Sequence, residues 1–269
     1  MKISASSKLL WNNRVRNAVE IIAREGFDGI ELWAEHLWRD EDNLQQFKEF
    51  LLSTGLDYSV HAATRDLNLA SANKAIRQVS IDQARKSMET CALLGGEIVT
   101  IHPGSFSSSK EFPVEVWKRQ LDAFQELAVY AEQYQVLLAV ENMELRPREL
   151  VVEPDDLERL LKGIDSSRMG ITLDLAHLTT LEQWDPLEYL KAVNEGHSIL
   201  NVHLSDGDGK RIHLPLGTGR IDFLPLLEWL QKSYQGHLTV EGFTPGQELQ
   251  NLKVMLGTWA RLNSRLVAV

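Results

Sequence analysis

Glu31, His61, His102, Glu141, Asp174, His203 and Glu241 share one place in the pattern of this chain. Each stands at the end of a short run of apolar and β-branched residues. Such runs want an apolar environment, so a carboxylate or imidazole closing nearly all of them calls for an explanation. Taken singly, each has a structural one: a helix cap, a polar rim, a hydrogen-bonded core histidine. Taken together they are a ligand set. Carboxylates mixed with imidazoles suit Zn²⁺, Mn²⁺, Co²⁺ or Fe²⁺, whereas an all-oxygen cage favours Mg²⁺ or Ca²⁺. Carboxylates gathered at one point also repel one another unless a cation offsets them.

The run ITLDLAHL (171–178) shows the choice most sharply. Asp174 is a good N-cap residue, but among so many similar endings it reads as a metal ligand. His177, three residues later, is then a second-metal ligand or a group that orients substrate. Two loops add to the set: HPGSF (102–106) after the fourth run and HLPLGTG (213–219) after the seventh. In the latter, His213 is a further imidazole, and Gly217 and Gly219 would let the backbone approach a ligand closely. Asp206 and Asp208, in SDGDG, read as turn residues.

The elements that must position these groups alternate regularly. Strand-like runs cover 2–6, 29–33, 57–62, 97–102, 136–141, 169–174, 198–203 and 237–242. Between them lie segments with apolar residues at three- and four-residue spacing, such as 15–26 and 116–134. Gly26, Gly55 and Gly95–Gly96 follow such segments as left-handed C-caps, and Pro113, Pro154 and Pro225 mark first turns. Eight strands alternating with eight helices imply a parallel sheet, because each crossover must carry a helix. Closed on itself, that sheet is a (β/α)8 TIM barrel formed by residues 1–269 as a single domain, with the C-terminal strand ends converging on the site. No G-x-G-x-x-G follows the first run, which argues against a Rossmann nucleotide site.

Composition sets the remaining bounds. The net charge of −10 and pI of 5.3 weigh against nucleic acid as the main partner. Cys91 is the only cysteine and sits among apolar residues, so it reads as core and implies a reducing compartment. No signal-peptide run or 18-residue apolar stretch occurs, so the expectation is a soluble, cytoplasmic protein without membrane contact.

With these residues in order, the chain resembles the xylose isomerase-like barrel superfamily of sugar isomerases and epimerases, dehydratases and endonuclease IV. The resemblance covers essentially every strand. It implies a four-ligand divalent metal site (Mn, Co, Mg or Zn) built from Glu141, Asp174, His203 and Glu241. His61, His102, His177 and His213 resemble the extra ligands of the endonuclease branch and imply a possible second metal site. Arg211, however, stands where that branch has an acidic ligand, which should weaken a third metal. VENMELRPREL also lacks that branch's Thr-Ala-Gly run, and LDLAHLTTLEQWD lacks its aromatic and glycine residues.

The implied activity is isomerisation or epimerisation of a sugar, sugar phosphate or related polyol or keto-acid through a metal-stabilised enediolate. Glu141 and Glu241 would exchange the proton on opposite faces of the substrate, with His177 orienting a substrate oxygen. Arg211, Glu31 and Trp33 would contact the substrate, with Trp11, Trp38 and Phe106 nearby. A dehydratase would use the same enediolate. The reading from another class is a multinuclear zinc phosphodiesterase. A third is a metal-binding barrel without catalysis. Relatives of this kind are commonly homo-oligomers, although the sequence carries no interface signature.

Overall fold

In the computed structural model, which describes residues 1–267, eight parallel strands close a barrel in chain order, with β8 pairing back onto β1. The strands are β1 (Lys2–Ser6), β2 (Gly29–Trp33), β3 (Asp57–His61), β4 (Ile98–Ile101), β5 (Leu137–Glu141), β6 (Met169–Asp174), β7 (Ile199–Leu204) and β8 (His237–Val240). The first helices are α1 (Val15–Glu25), α2 (Ala34–Asp40), α3 (Leu44–Thr54), α4 (Lys74–Leu94) and α5 (Pro113–Tyr134). They are followed by α6 (Pro154–Ile164), α7 (Leu175–Leu178), α8 (Pro186–Asn194), α9 (Phe223–Leu230) and α10 (Glu248–Val267).

The helices form where the apolar spacing predicts them. α1 buries Val15, Ala18, Val19 and Ile22, one stripe of a 3.6-residue period, and Gly26 ends it at φ 95°. Gly55 and Gly95 end α3 and α4 the same way. Pro113 and Pro154 open α5 and α6, and Pro225 lies in the first turn of α9. Two short helices go beyond the eight expected: α2, which continues directly from β2, and the single turn α7. Neither is long enough to show a period.

Strand boundaries matter for the site. His102 and Glu241 stand one residue beyond β4 and β8. Glu31 is the third of five residues in β2 rather than its end. Because strand side chains alternate between faces, Glu31 and Trp33 share the interior at two different depths. The deeper level is a polar layer: Glu31, Thr100, Thr172, Asn201 and Thr239 are all buried and linked by hydrogen bonds.

One irregularity brings the strands into phase. Ile171 pairs with Ile199, but the next pair is Thr172 with Asn201, leaving Leu200 as an extra residue in β7. The bulge sets Asn201 opposite Thr172 and His203 opposite Asp174; a one-residue slip would turn both side chains out of the barrel. Gly170 makes room for it, since a Cβ there would lie 2.5 Å from Leu200 Cδ1 and 2.8 Å from the Ser198 carbonyl.

Candidate active site

At the C-terminal mouth, the ends of β5, β6 and β7 and the residue after β8 bring four candidate ligand residues around one point. His203 Nδ1 lies 3.3 Å from Glu141 Oε1, 3.5 Å from Glu241 Oε2 and 3.8 Å from Asp174 Oδ2. All four residues are buried. Asp174 resolves the choice between cap and ligand by using its two oxygens separately. Oδ1 accepts the His177 N–H at 3.0 Å and caps α7, while Oδ2 has no hydrogen-bond partner. Glu141 Oε2 and Glu241 Oε1 are likewise buried without one. Burying an unpaired carboxylate oxygen is costly. Three carboxylates that each turn one oxygen toward a single imidazole nitrogen, and that together carry three buried oxygens without a hydrogen-bond partner, are what a cation site requires, so the residues fit a divalent metal.

The other histidines divide into two groups instead of forming one second site. His102 Nε2 is 3.1 Å and His61 Nε2 is 3.5 Å from Glu141 Oε2. On the far side, His177 Nε2 and His213 Nδ1 each lie 3.8 Å from Asp174 Oδ2. Both groups keep their candidate ligand atoms within 4.8 Å of one another, as do Glu141, Asp174 and His203. The ring orientations are fixed from behind: His61 Nδ1 bonds the Ala62 carbonyl at 2.9 Å and His177 Nδ1 the Asn142 carbonyl at 2.6 Å. With Nδ1 donating to a carbonyl, Nε2 of each ring is the nitrogen turned toward the carboxylates.

Charge balance follows from these distances. Burial works against charge on His203, but Glu241, Glu31 and Glu141 hold its pKa well above the ordinary value. The same opposition raises His61 and His177. Burial also favours the neutral acid at Glu141 and Glu241. His203 and His102 nonetheless hold Glu141 far down, while His203, Lys8 and His213 hold Glu241 at about 2. His213 differs, because burial pushes its pKa down. His213 also takes φ 55°, a strained backbone position for a residue other than glycine.

The expected substrate contacts are placed unevenly. Trp33 stacks on His61 at 4.2 Å with Lys8 Nζ 4.1 Å from its ring, so it forms part of the site wall. Glu31 is fully buried a layer below, its oxygens bonded to His203, Thr100 and Asn201, and so is shut off from substrate. Arg211 is turned outward, its side chain 72% exposed and paired with Asp208 at 2.8 Å. Gly217 and Gly219 approach Asp206 rather than a ligand. Asp206 accepts the N–H groups of Gly207, Gly217, Gly219 and Ile221, and a Cβ on Gly219 would strike its carboxylate. Trp11 lies under Arg65, and Trp38 bonds Thr90. Cys91 is buried, and burial pushes its thiol up to about 12.

Three contributors escaped the sequence reading. Asn142 Oδ1 accepts the Asp174 N–H at 2.7 Å and its Nδ2 donates to the Asp174 carbonyl, tying β5 to β6. Glu144 is buried with Oε2 3.6 Å from His177 Nε2. Lys8, just past β1, brings a cation to the mouth. Asn142 directly follows Glu141 in sequence, which was the one available signal.

A closed barrel that gathers these carboxylates and imidazoles at its C-terminal mouth is a TIM barrel with a candidate metal site. The xylose isomerase-like TIM barrel family matches residues 19–260, and the chain belongs to it. An uncharacterised protein of Methanocaldococcus jannaschii is 30% identical over 246 residues, 90% of this chain and 83% of that one. A probable endonuclease 4 of Citrifermentans bemidjiense is 25% identical over 171 residues, 61% of this chain and 59% of that one. Among solved structures, a D-tagatose 3-epimerase-like protein superposes with a TM-score of 0.87 at 26% identity, covering 99% of this chain and 100% of that one. No helix among the described residues is long and apolar enough to cross a membrane.

Proposed function

We propose that this protein is a divalent-metal-dependent epimerase or isomerase of a sugar, sugar phosphate or related polyol or keto-acid. One observation carries the reading. Glu141 and Glu241 flank His203 Nδ1, each with one oxygen toward it and one turned away: Glu241 Oε1 has no hydrogen-bond partner, and Glu141 Oε2 has only the His61 and His102 imidazoles beside it. A carboxylate can hold a metal and still move a proton only when it keeps such a second oxygen.

Glu141, Asp174, His203 and Glu241 would hold the metal, which when bound would act as a Lewis acid on adjacent carbonyl and hydroxyl oxygens of the substrate. Glu141 Oε2 and Glu241 Oε1 would take and return the proton on the substrate's two faces. The histidines around them hold both carboxylates ionised, so each can accept a proton. His177 would present Nε2 to a substrate oxygen, its ring held by the Asn142 carbonyl. Trp33, stacked on His61, would supply an apolar wall.

The test is solvent-deuterium exchange by NMR with Mn²⁺- or Co²⁺-loaded protein and a panel of ketoses, ketose phosphates and keto-acids. Deuterium should enter the carbon next to the carbonyl as the epimer or isomer forms. Glu141→Gln and Glu241→Gln should each lower exchange by about 100-fold or more. No exchange with any member of the panel would contradict the proposal.

A second reading is favoured by the two flanking groups, His61–His102–Glu141 and Asp174–His177–His213. A multinuclear zinc centre could clamp both oxygens of a phosphodiester. Two or three Zn²⁺ per chain together with cleavage of abasic DNA would favour it.

A further inference from the structure

The buried layer below the site has a direction. Asn201 accepts the Thr239 hydroxyl at 3.2 Å through its amide oxygen, which turns its NH2 toward Glu31 Oε2 at 2.7 Å. The same NH2 reaches Thr100 Oγ1 at 3.2 Å, and Thr100 donates to Glu31 Oε2 at 3.1 Å. The free oxygen of that carboxylate, Oε1, meets His203 Nε2 at 3.0 Å. Hydrogen bonds from β4 and β7, the latter backed by Thr239 of β8, therefore end on one carboxylate, and that carboxylate touches one ring of the site.

A carboxylate at Nε2 requires the proton to be on Nε2. Nδ1 is then the nitrogen whose lone pair can face Glu141, Asp174 and Glu241. We propose that Glu31 is a positioning residue: it fixes the tautomer and tilt of His203 so that Nδ1 is the metal-binding nitrogen. This rests on the metal site proposed above. A carboxylate behind a ligating imidazole both orients the ring and increases its basicity, and losing such a partner typically weakens metal binding about 10- to 100-fold. Thr100 and Asn201 hold Glu31 in turn, which ties the buried polar layer to the ligand above it.

Two measurements test it. The first uses ¹⁵N NMR of the histidine rings in wild-type protein loaded with Zn²⁺, the His203 signals being assigned by their loss in His203→Asn. A protonated Nε2 and a metal-shifted Nδ1 are expected; coordination through Nε2 would overturn the proposal. The second compares Co²⁺ affinity of wild type and Glu31→Gln by competition with a chelator of known affinity. A loss of about 10- to 100-fold with an altered visible Co²⁺ spectrum is expected, whereas equal affinity and an unchanged spectrum would overturn it. If Glu31→Gln does not fold, the wild-type NMR decides alone. Failure of wild type to take up metal would sink the metal site and this proposal together. Metal uptake abolished by Asp174→Asn but unaffected by Glu31→Gln would sink only this one.

Discussion

Asn142→Ala should damage stability and site together, because its side chain makes two hydrogen bonds to the backbone of Asp174. The side chain is fully buried; it accepts the Asp174 N–H at 2.7 Å and donates to the Asp174 carbonyl at 3.2 Å. Alanine leaves a buried N–H without its partner, at a cost of about 1–3 kcal/mol, and deletes a second hydrogen bond worth about 1 kcal/mol. The expected loss is therefore about 2–4 kcal/mol. At about 2–4 °C per kcal/mol for a chain of this order of size, Tm should fall by roughly 5–15 °C. The melt belongs in chelator, because bound metal adds its own stabilisation to the folded state. Alanine keeps the backbone carbonyl that holds His177 Nδ1, so metal affinity should fall only through Asp174, whose backbone loses both ties to residue 142. A Tm within about 2 °C of wild type, with metal affinity unchanged, would refute the view that Asn142 ties β5 to β6.

Gly170→Ala should destabilise by about 1–3 kcal/mol through overpacking against Leu200 and the Ser198 carbonyl; chemical denaturation measures it, and a neutral result would mean the β7 bulge does not need the glycine. His36 is buried, and burial pushes its pKa down despite its bond to the Asn13 carbonyl. The unfolded chain thus binds this proton at higher pH than the folded one. The stability that neutral His36 contributes is full above about pH 6.5 and is lost as pH falls from there through the folded-state value. His36→Gln should therefore show a shallower decline in stability below about pH 6.5 than wild type, measured by denaturant midpoints across pH. Arg211→Ala should leave metal affinity unchanged, since the side chain is exposed and paired with Asp208; a drop in metal titrations would show that it reaches the site in solution.

The barrel was legible because its signals are periodic. Every strand shows as an apolar run, and left-handed glycines or prolines mark helix ends. The residues brought around one point were legible for a related reason: parallel strands deliver their C-terminal ends to the same mouth. What the sequence could not convey is depth along a strand. Glu31 groups by type with the strand ends, yet it stands in the middle of the run 29–33 that forms β2, and Trp33 is the residue carried to the mouth. Loop side chains were also hidden, because no period governs them: Glu144 turns in beside His177, while Arg211 turns out to Asp208. Gly217 and Gly219 were read as facing a ligand, but the buried Asp206 accounts for both. The two oxygens of Asp174 acting separately is a matter of geometry that residue type alone does not carry.

The most direct test of the account is metal content per chain, measured by elemental analysis after loading with Mn²⁺, Co²⁺ or Zn²⁺, in wild type and in Asp174→Asn. The variant keeps an oxygen to cap α7 but loses the free carboxylate oxygen beside His203. Tightly held metal is expected in wild type, lost in a variant whose circular dichroism is unchanged. Wild-type protein that takes up none of the three ions would contradict the metal site.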